Sequence, residues 1–133
     1  STGTSDSEVS DGLSMSVGSA LAEANFVIFG NNNDDTGTTS SSLSGISKRS
    51  KREWNFDEKG TVTADIKIDI SDATGHSGSI SAASNYKLLF KTCEFCNFLE
   101  LETGDSASGD VITFSNVTIQ DGIFCIASAD SNL

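Results

Sequence analysis

Proline is absent from this chain of 133 residues; histidine, tryptophan, tyrosine and methionine occur once each, and only 8 lysines and arginines face 19 aspartates and glutamates. Each shortage excludes something. Without proline, turns have to come from the 12 glycines and from Asn, Asp and Ser. A formal net charge of −11 repels phosphate, so nucleic acid and anionic membranes are poor partners. No apolar run approaches the length of a membrane span, and membrane insertion is not expected. His76 lies in a Gly/Ser stretch, and no nucleophile elbow accompanies it, so a Ser-His-Asp centre has no frame. The chain reads as a non-enzyme, with no cofactor required.

What is present is alternation. Over residues 61–70, Val62, Ala64, Ile66, Ile68 and Ile70 alternate with Thr63, Asp65, Lys67 and Asp69, the period of a half-buried strand. Upstream, Arg49, Lys51 and Arg52 lead into Trp54 and Phe56, which predicts a strand over 47–57. Glu58, Lys59 and Gly60 suit a tight hairpin between the two. The apolar run at 26–29 reads as a strand covered on both faces, and residues 13–17 as a short edge strand. Tyr86, Leu88 and Phe90 share one face of a strand over 85–91, with 98–102 as its hairpin partner. Ile112 and Phe114 have one parity and Val117 and Ile119 the other, which predicts a bulge near Ser115 and Asn116. Residues 123–127 close the sheet. Residues 31–42 and 71–84 read as polar loops, and 19–24 could form one helical turn. Eight or nine short strands make an all-β antiparallel β-sandwich, Ig-like or jelly-roll.

One domain accounts for the length. Residues 1–13 read as an extended N-terminal arm and 14–133 as the sandwich. Within the arm only Val9 and Leu13 are large and apolar, too little to offset the ordering cost of about 1–2 kcal/mol per residue. Such an arm is expected to pair with an open sheet edge of a neighbouring subunit, giving a homo-oligomer or filament by strand addition. The core is expected around Trp54, Phe56, Ile66, Ile68 and Phe114, together with Phe26, Ile28, Leu88 and Phe124. The Arg52 stem should lie along Trp54 with its guanidinium on a carboxylate or the ring. Asp34 and Asp35, in the run Asn31 to Asp35, offer oxygens to a calcium ion. Asp65/Asp69 and Glu100/Glu102 fall on wet faces, where charge discourages edge aggregation.

The order of several short motifs resembles a known family. They are Ile28-Phe29-Gly30-Asn31, the Arg-x-x-Arg-x-Trp of Arg49, Arg52 and Trp54, the Tyr-x-Leu-Leu of Tyr86, Leu88 and Leu89, and the closing run Ile112-Thr113-Phe114, Val117, Ile119, Asp121-Gly122 and Phe124. Together, over roughly residues 20–127, they resemble β-sandwich modules that recur in very large secreted and surface-exposed bacterial proteins, beside adhesin-type repeats. The resemblance implies extracellular architecture and carries over no catalytic residue. Where the family has an acidic Asp-x-Asp-Gly turn, this chain has Lys91 to Cys96, so no ion site carries over there.

Three cysteines in a Ser/Thr/Asn/Asp-rich chain favour an oxidising compartment and leave at least one thiol unpaired. Cys93 and Cys96 would point to opposite faces of a straight strand and could not meet. The hairpin loop that the resemblance places here implies a turn at Glu94-Phe95, a Cys93–Cys96 disulfide and a buried thiol at Cys125. The chain begins at Ser1 and its one methionine is Met15, as a cleaved export signal or an excised fragment would leave it. The expected function is therefore that of a secreted or cell-surface structural protein, a self-assembling filament subunit or an adhesin module. The competing expectation is a carbohydrate-binding or calcium-dependent adhesive module; a carbohydrate-binding one would present exposed aromatics on a sheet face or loop tip, whereas Trp54 and Tyr86, the one Trp and the one Tyr, read as core.

Overall fold

In the computed structural model the chain forms two antiparallel sheets packed face to face; the described residues are 8–10, 12–17, 25–32 and 36–133, with backbone alone at 8–10. Twelve strands are assigned among them: β1 Glu8–Ser10, β2 Leu13–Ser16, β3 Phe26–Asn31, β4 Thr38–Ser40, β5 Lys48–Ser50, β6 Trp54–Lys59, β7 Thr63–Asp69, β8 Tyr86–Lys91, β9 Leu99–Thr103, β10 Ser106–Ser108, β11 Val111–Thr118 and β12 Gly122–Ser128. One sheet has the order β1-β2-β7-β11-β10. The other has seven strands. Its centre is β12, which pairs with β8 along one edge and with β6 and then β5 along the other; β3, β9 and β4 extend it outward. The chain is an all-β sandwich.

The alternation of β6 and β7 explains their placement. Trp54 and Phe56 project from one face of β6, and Ala64, Ile66 and Ile68 from one face of β7; all are buried in a single core. Two one-sided strands hide their apolar faces by facing each other from opposite sheets. Residues 58–60 therefore cross between sheets instead of closing the expected hairpin. Gly60 takes φ +79°, and a Cβ there would run into the Asn25 side chain. Phe114, Tyr86, Leu88, Phe124 and Ile126 complete this core, with Phe56 and Phe124 rings 4.7 Å apart.

Several expectations are corrected. Leu13 is fully buried in the core, because β2 pairs with β7 and places Leu13 opposite Ile68. β1, which includes Val9, pairs with β2 of its own chain. The boundary drawn after residue 13 is therefore displaced, and β2, flanked on both sides, is no edge strand. β3 is covered on one face only: Val27 points inward, whereas Phe26 is 37 % and Ile28 63 % exposed. The strand expected over 47–57 breaks at Lys51–Glu53 into β5 and β6. Ile70 opens a short helix, α1 (Ile70–Thr74), in the stretch read as strand end and loop. Asp69 caps it by accepting from the Asp72 N–H, and Gly75 ends it in the left-handed region.

The bulge stands where the parity change put it. The β11–β7 register shifts between Phe114 and Val117, Asn116 adopts φ 54°, and its N–H donates to Asp65 Oδ1 at 2.9 Å. Both Phe114 and Val117 thereby reach the core. The helical turn considered at residues 19–24 lies outside the described residues.

Candidate functional site

The outer face of the seven-stranded sheet is where the chain departs from a plain sandwich. Register puts Leu89 opposite Cys125, Ala127 opposite both Lys87 and Arg49, and Ile123 opposite Lys91. Partners directly opposite share a face, so these residues project away from the main core. Leu89, Cys125 and Ala127 are nonetheless buried, forming a second cluster with Ile46 under Leu43 and Phe98. The cover is the loop between β4 and β5. Its turn closes as the Ile46 N–H donates to the Leu43 carbonyl at 3.2 Å, and the Ser47 N–H donates to the Ser128 carbonyl at 2.9 Å.

A charge cluster sits beside this cover. Arg49 Nη1 and Lys91 Nζ converge on one oxygen of Glu53, Oε1, at 3.4 and 3.2 Å. The Lys91 side chain is 8 % exposed and that of Glu53 15 %. Lys91 Nζ also donates to the Glu94 carbonyl at 3.0 Å. Phe98 packs against both cations, its ring centroid 5.1 Å from the Arg49 guanidinium and 4.5 Å from Lys91 Nζ. Arg52, whose guanidinium was expected on a carboxylate or the Trp54 ring, donates from Nη1 to the Asp72 carbonyl at 3.0 Å. Burial pushes the neighbouring Cys125 thiol up to about 12, so that thiol stays protonated and unreactive at neutral pH.

The β8–β9 connection closes the site. Cys93 and Cys96 form a disulfide across a tight turn in which the Cys96 N–H donates to the Cys93 carbonyl at 3.1 Å. Phe95, at its tip, is 94 % exposed. On one side of the turn lies an open recess of about 480 Å³ lined by Ser40, Ser41, Ser42, Arg49, Lys91 and Asn97, among others. On the other, a recess of about 500 Å³ is lined by Asn31, Asn32, Glu53, Asn55 and Glu94, among others.

The sequence-derived residues distribute as follows. Trp54, Phe56, Ile66, Ile68 and Phe114 are all in the core, joined by Leu13. Val9 lies in β1, and its side chain is not among those described. Asp34 and Asp35 lie outside the described residues. Trp54 and Tyr86 are fully buried, so neither presents a sugar-stacking face. Glu53, Lys91, Phe98 and the serines at 40–42 were missed as a group. A weak signal existed in the parity of β8, which puts Lys87 and Lys91 on one face with Leu89 between them.

The chain belongs to the family described as "Domain of unknown function (DUF8202)", which it matches over residues 3–123. Neither a characterised protein nor a solved structure matches it significantly.

Proposed function

We propose that this domain is an extracellular adhesive module of a bacterial surface protein, and that it meets its partner with the disulfide-closed turn and the outer face of the seven-stranded sheet. The observation that carries the reading is Phe95, a large aromatic held 94 % exposed at the tip of a covalently closed turn. Aromatic anchors of this kind supply a large share of binding energy at interfaces, and holding one in place beforehand lowers the ordering cost of association. A disulfide in an exposed turn suits an oxidising, extracellular setting. The family resemblance of the motif order points the same way.

A second reading, the self-assembling filament subunit, keeps one specific support. Among the described residues β1 ends the five-stranded sheet, which offers an incoming strand a ladder to extend. Against it, residues 8–10 of the segment that was to be donated already pair with β2 of their own chain, and copies carrying −11 each repel one another.

The test coats beads with the full chain and measures their retention on a glycan array and on immobilised matrix proteins. Sedimentation velocity reads the oligomeric state in parallel. The expected result is a monomer whose retention is lost in Phe95→Ser with no change in Tm. Retention that survives Phe95→Ser, or fibres whose growth stops on deletion of residues 1–10, would replace the adhesive reading with the filament.

A further inference from the structure

We propose that the recess between the serines at 40–42 and the disulfide turn binds a carboxylate-bearing sugar, a single uronic acid residue at the end of a glycan or flanked by neutral sugars. This rests on the adhesive reading and names the ligand chemistry of the same face.

The first argument is charge. Arg49 and Lys91 share one carboxylate, Glu53 Oε1, so these three paired groups keep one positive charge in a chain whose net charge is −11, with the exposed Glu94 also on the recess wall. Two of its eight cations are thus spent on a half-buried cluster. Apolar residues of similar volume hold such a place at least as well as an ion pair does, so stability alone does not account for it. Phe98, against both cations, limits their swing and preorganises them.

The second argument is the lining. Ser40, Ser41, Ser42 and Asn97 surround the two cations in the same recess, and hydroxyls and a side-chain amide are the donors and acceptors that match the hydroxyls of a sugar ring. The volume, about 480 Å³, falls in the usual range for small-ligand sites. Phe95 and Phe98 also line it and give the apolar face of a ring something to rest on.

One surplus charge selects among anions. A carboxylate completes the cluster, as charge-assisted hydrogen bonds to a guanidinium favour. A dianionic phosphate would remain half neutralised beside Glu53 and Glu94. An acidic peptide or the acidic surface of a second copy would bring many charges against this acidic surface, whereas one uronate brings a single charge to the site built for it.

The experiment titrates the full chain with a glucuronate-terminated disaccharide, the matching glucose-terminated disaccharide, and a short glutamate peptide, following backbone amides by NMR. The expected result is saturable shifts at residues 40–43 and 96–98 with the glucuronate compound alone, weakened by added salt. Arg49→Gln should weaken binding about tenfold, and Glu53→Gln, which raises the surplus charge, should strengthen it. Ser42→Asp at the exposed rim, which leaves the core untouched, should abolish it and serves if Arg49→Gln loses its fold. Equal binding of the neutral disaccharide, binding of the peptide alone, or no shift with any of the three overturns the assignment. If Phe95-dependent retention persists in that case, the adhesive reading survives and the uronate site falls. If the shifts occur but retention does not depend on Phe95, the reverse holds.

Discussion

The two faces of the seven-stranded sheet are made by alternate residues of the same strands, and they differ in kind. On the inner face Trp54, Leu88, Phe90, Phe124 and Ile126 join one continuous core. On the outer face Leu89, Cys125 and Ala127 form a small cluster with Arg49, Glu53 and Lys91 beside it. The first face satisfies its few polar groups locally, the Tyr86 hydroxyl donating to the Asn132 carbonyl at 2.7 Å, and derives its energy mainly from area removed from water. The second buries charges that cost desolvation and is held together by a loop, a disulfide and ring contacts. One strand thus supplies the main core with its even residues and the small outer cluster with its odd ones.

The comparison predicts unequal responses to substitution. Trp54→Ala, on the inner face, should cost about 3–5 kcal/mol in chemical denaturation; a loss below about 1 kcal/mol would mean that the inner face is not the seat of stability. Replacing Cys93 and Cys96 together by serine should cost about 2 kcal/mol, the loop-closure contribution of so short a ring. It should also broaden the amide signals of residues 92–98 while leaving those of β6 sharp. Lys91→Met removes one cation but leaves Arg49 on Glu53, so the expected cost is only about 1 kcal/mol. A cost equal to that of Trp54→Ala would erase the distinction between the faces.

The smallest effect is a pH dependence on neither face. The Ser128 hydroxyl donates to Asp130 Oδ1 at 2.6 Å and, with the Asn132 N–H at 3.0 Å, holds the Asp130 carboxyl below its ordinary value. A depressed folded-state pKa contributes stability that is present above the unfolded carboxylate pKa and lost as pH falls through the folded one. Asp130→Asn should therefore lose less stability on acidification than the parent, measured as the difference between neutral and acid unfolding curves. Identical acid slopes would remove Asp130 from the account. Glu102 acts in the opposite sense, because burial first and Asp105 second raise its pKa.

How much of this was legible in the sequence varies with the range of the interaction involved. The strand at 63–69 was written in period-two alternation, and the bulge at Asn116 in a change of parity; both are local signals. The cap signature of α1 was also local, Asp69 with Ser71, Asp72 and Gly75, and was passed over because the alternation ran into Ile70 without a break. Which sheet each strand joins was not local. Nothing between Phe56 and Val62 distinguishes a hairpin from a crossover, since both bury the same side chains; the choice depends on β12, some sixty residues later. The outer-face cluster was illegible for the same reason. Arg49, Glu53, Lys91 and Phe98 meet only because β5 and β8 flank β12. Leu13 was misassigned because an arm poor in apolar residues was weighed alone, without the open side of β7 that receives it.

The continuity of β8 with the disulfide turn bears on mechanics. β8 leads into the turn and is in register with β12 over six consecutive residues, Tyr86 to Lys91. A pull on Phe95 directed along β8 would load that whole ladder at once, in shear, and could not peel its bonds singly from one end. The Cys93–Cys96 bond denies the turn any slack, so tension arriving at its tip passes to the middle of the sheet without first lengthening the loop.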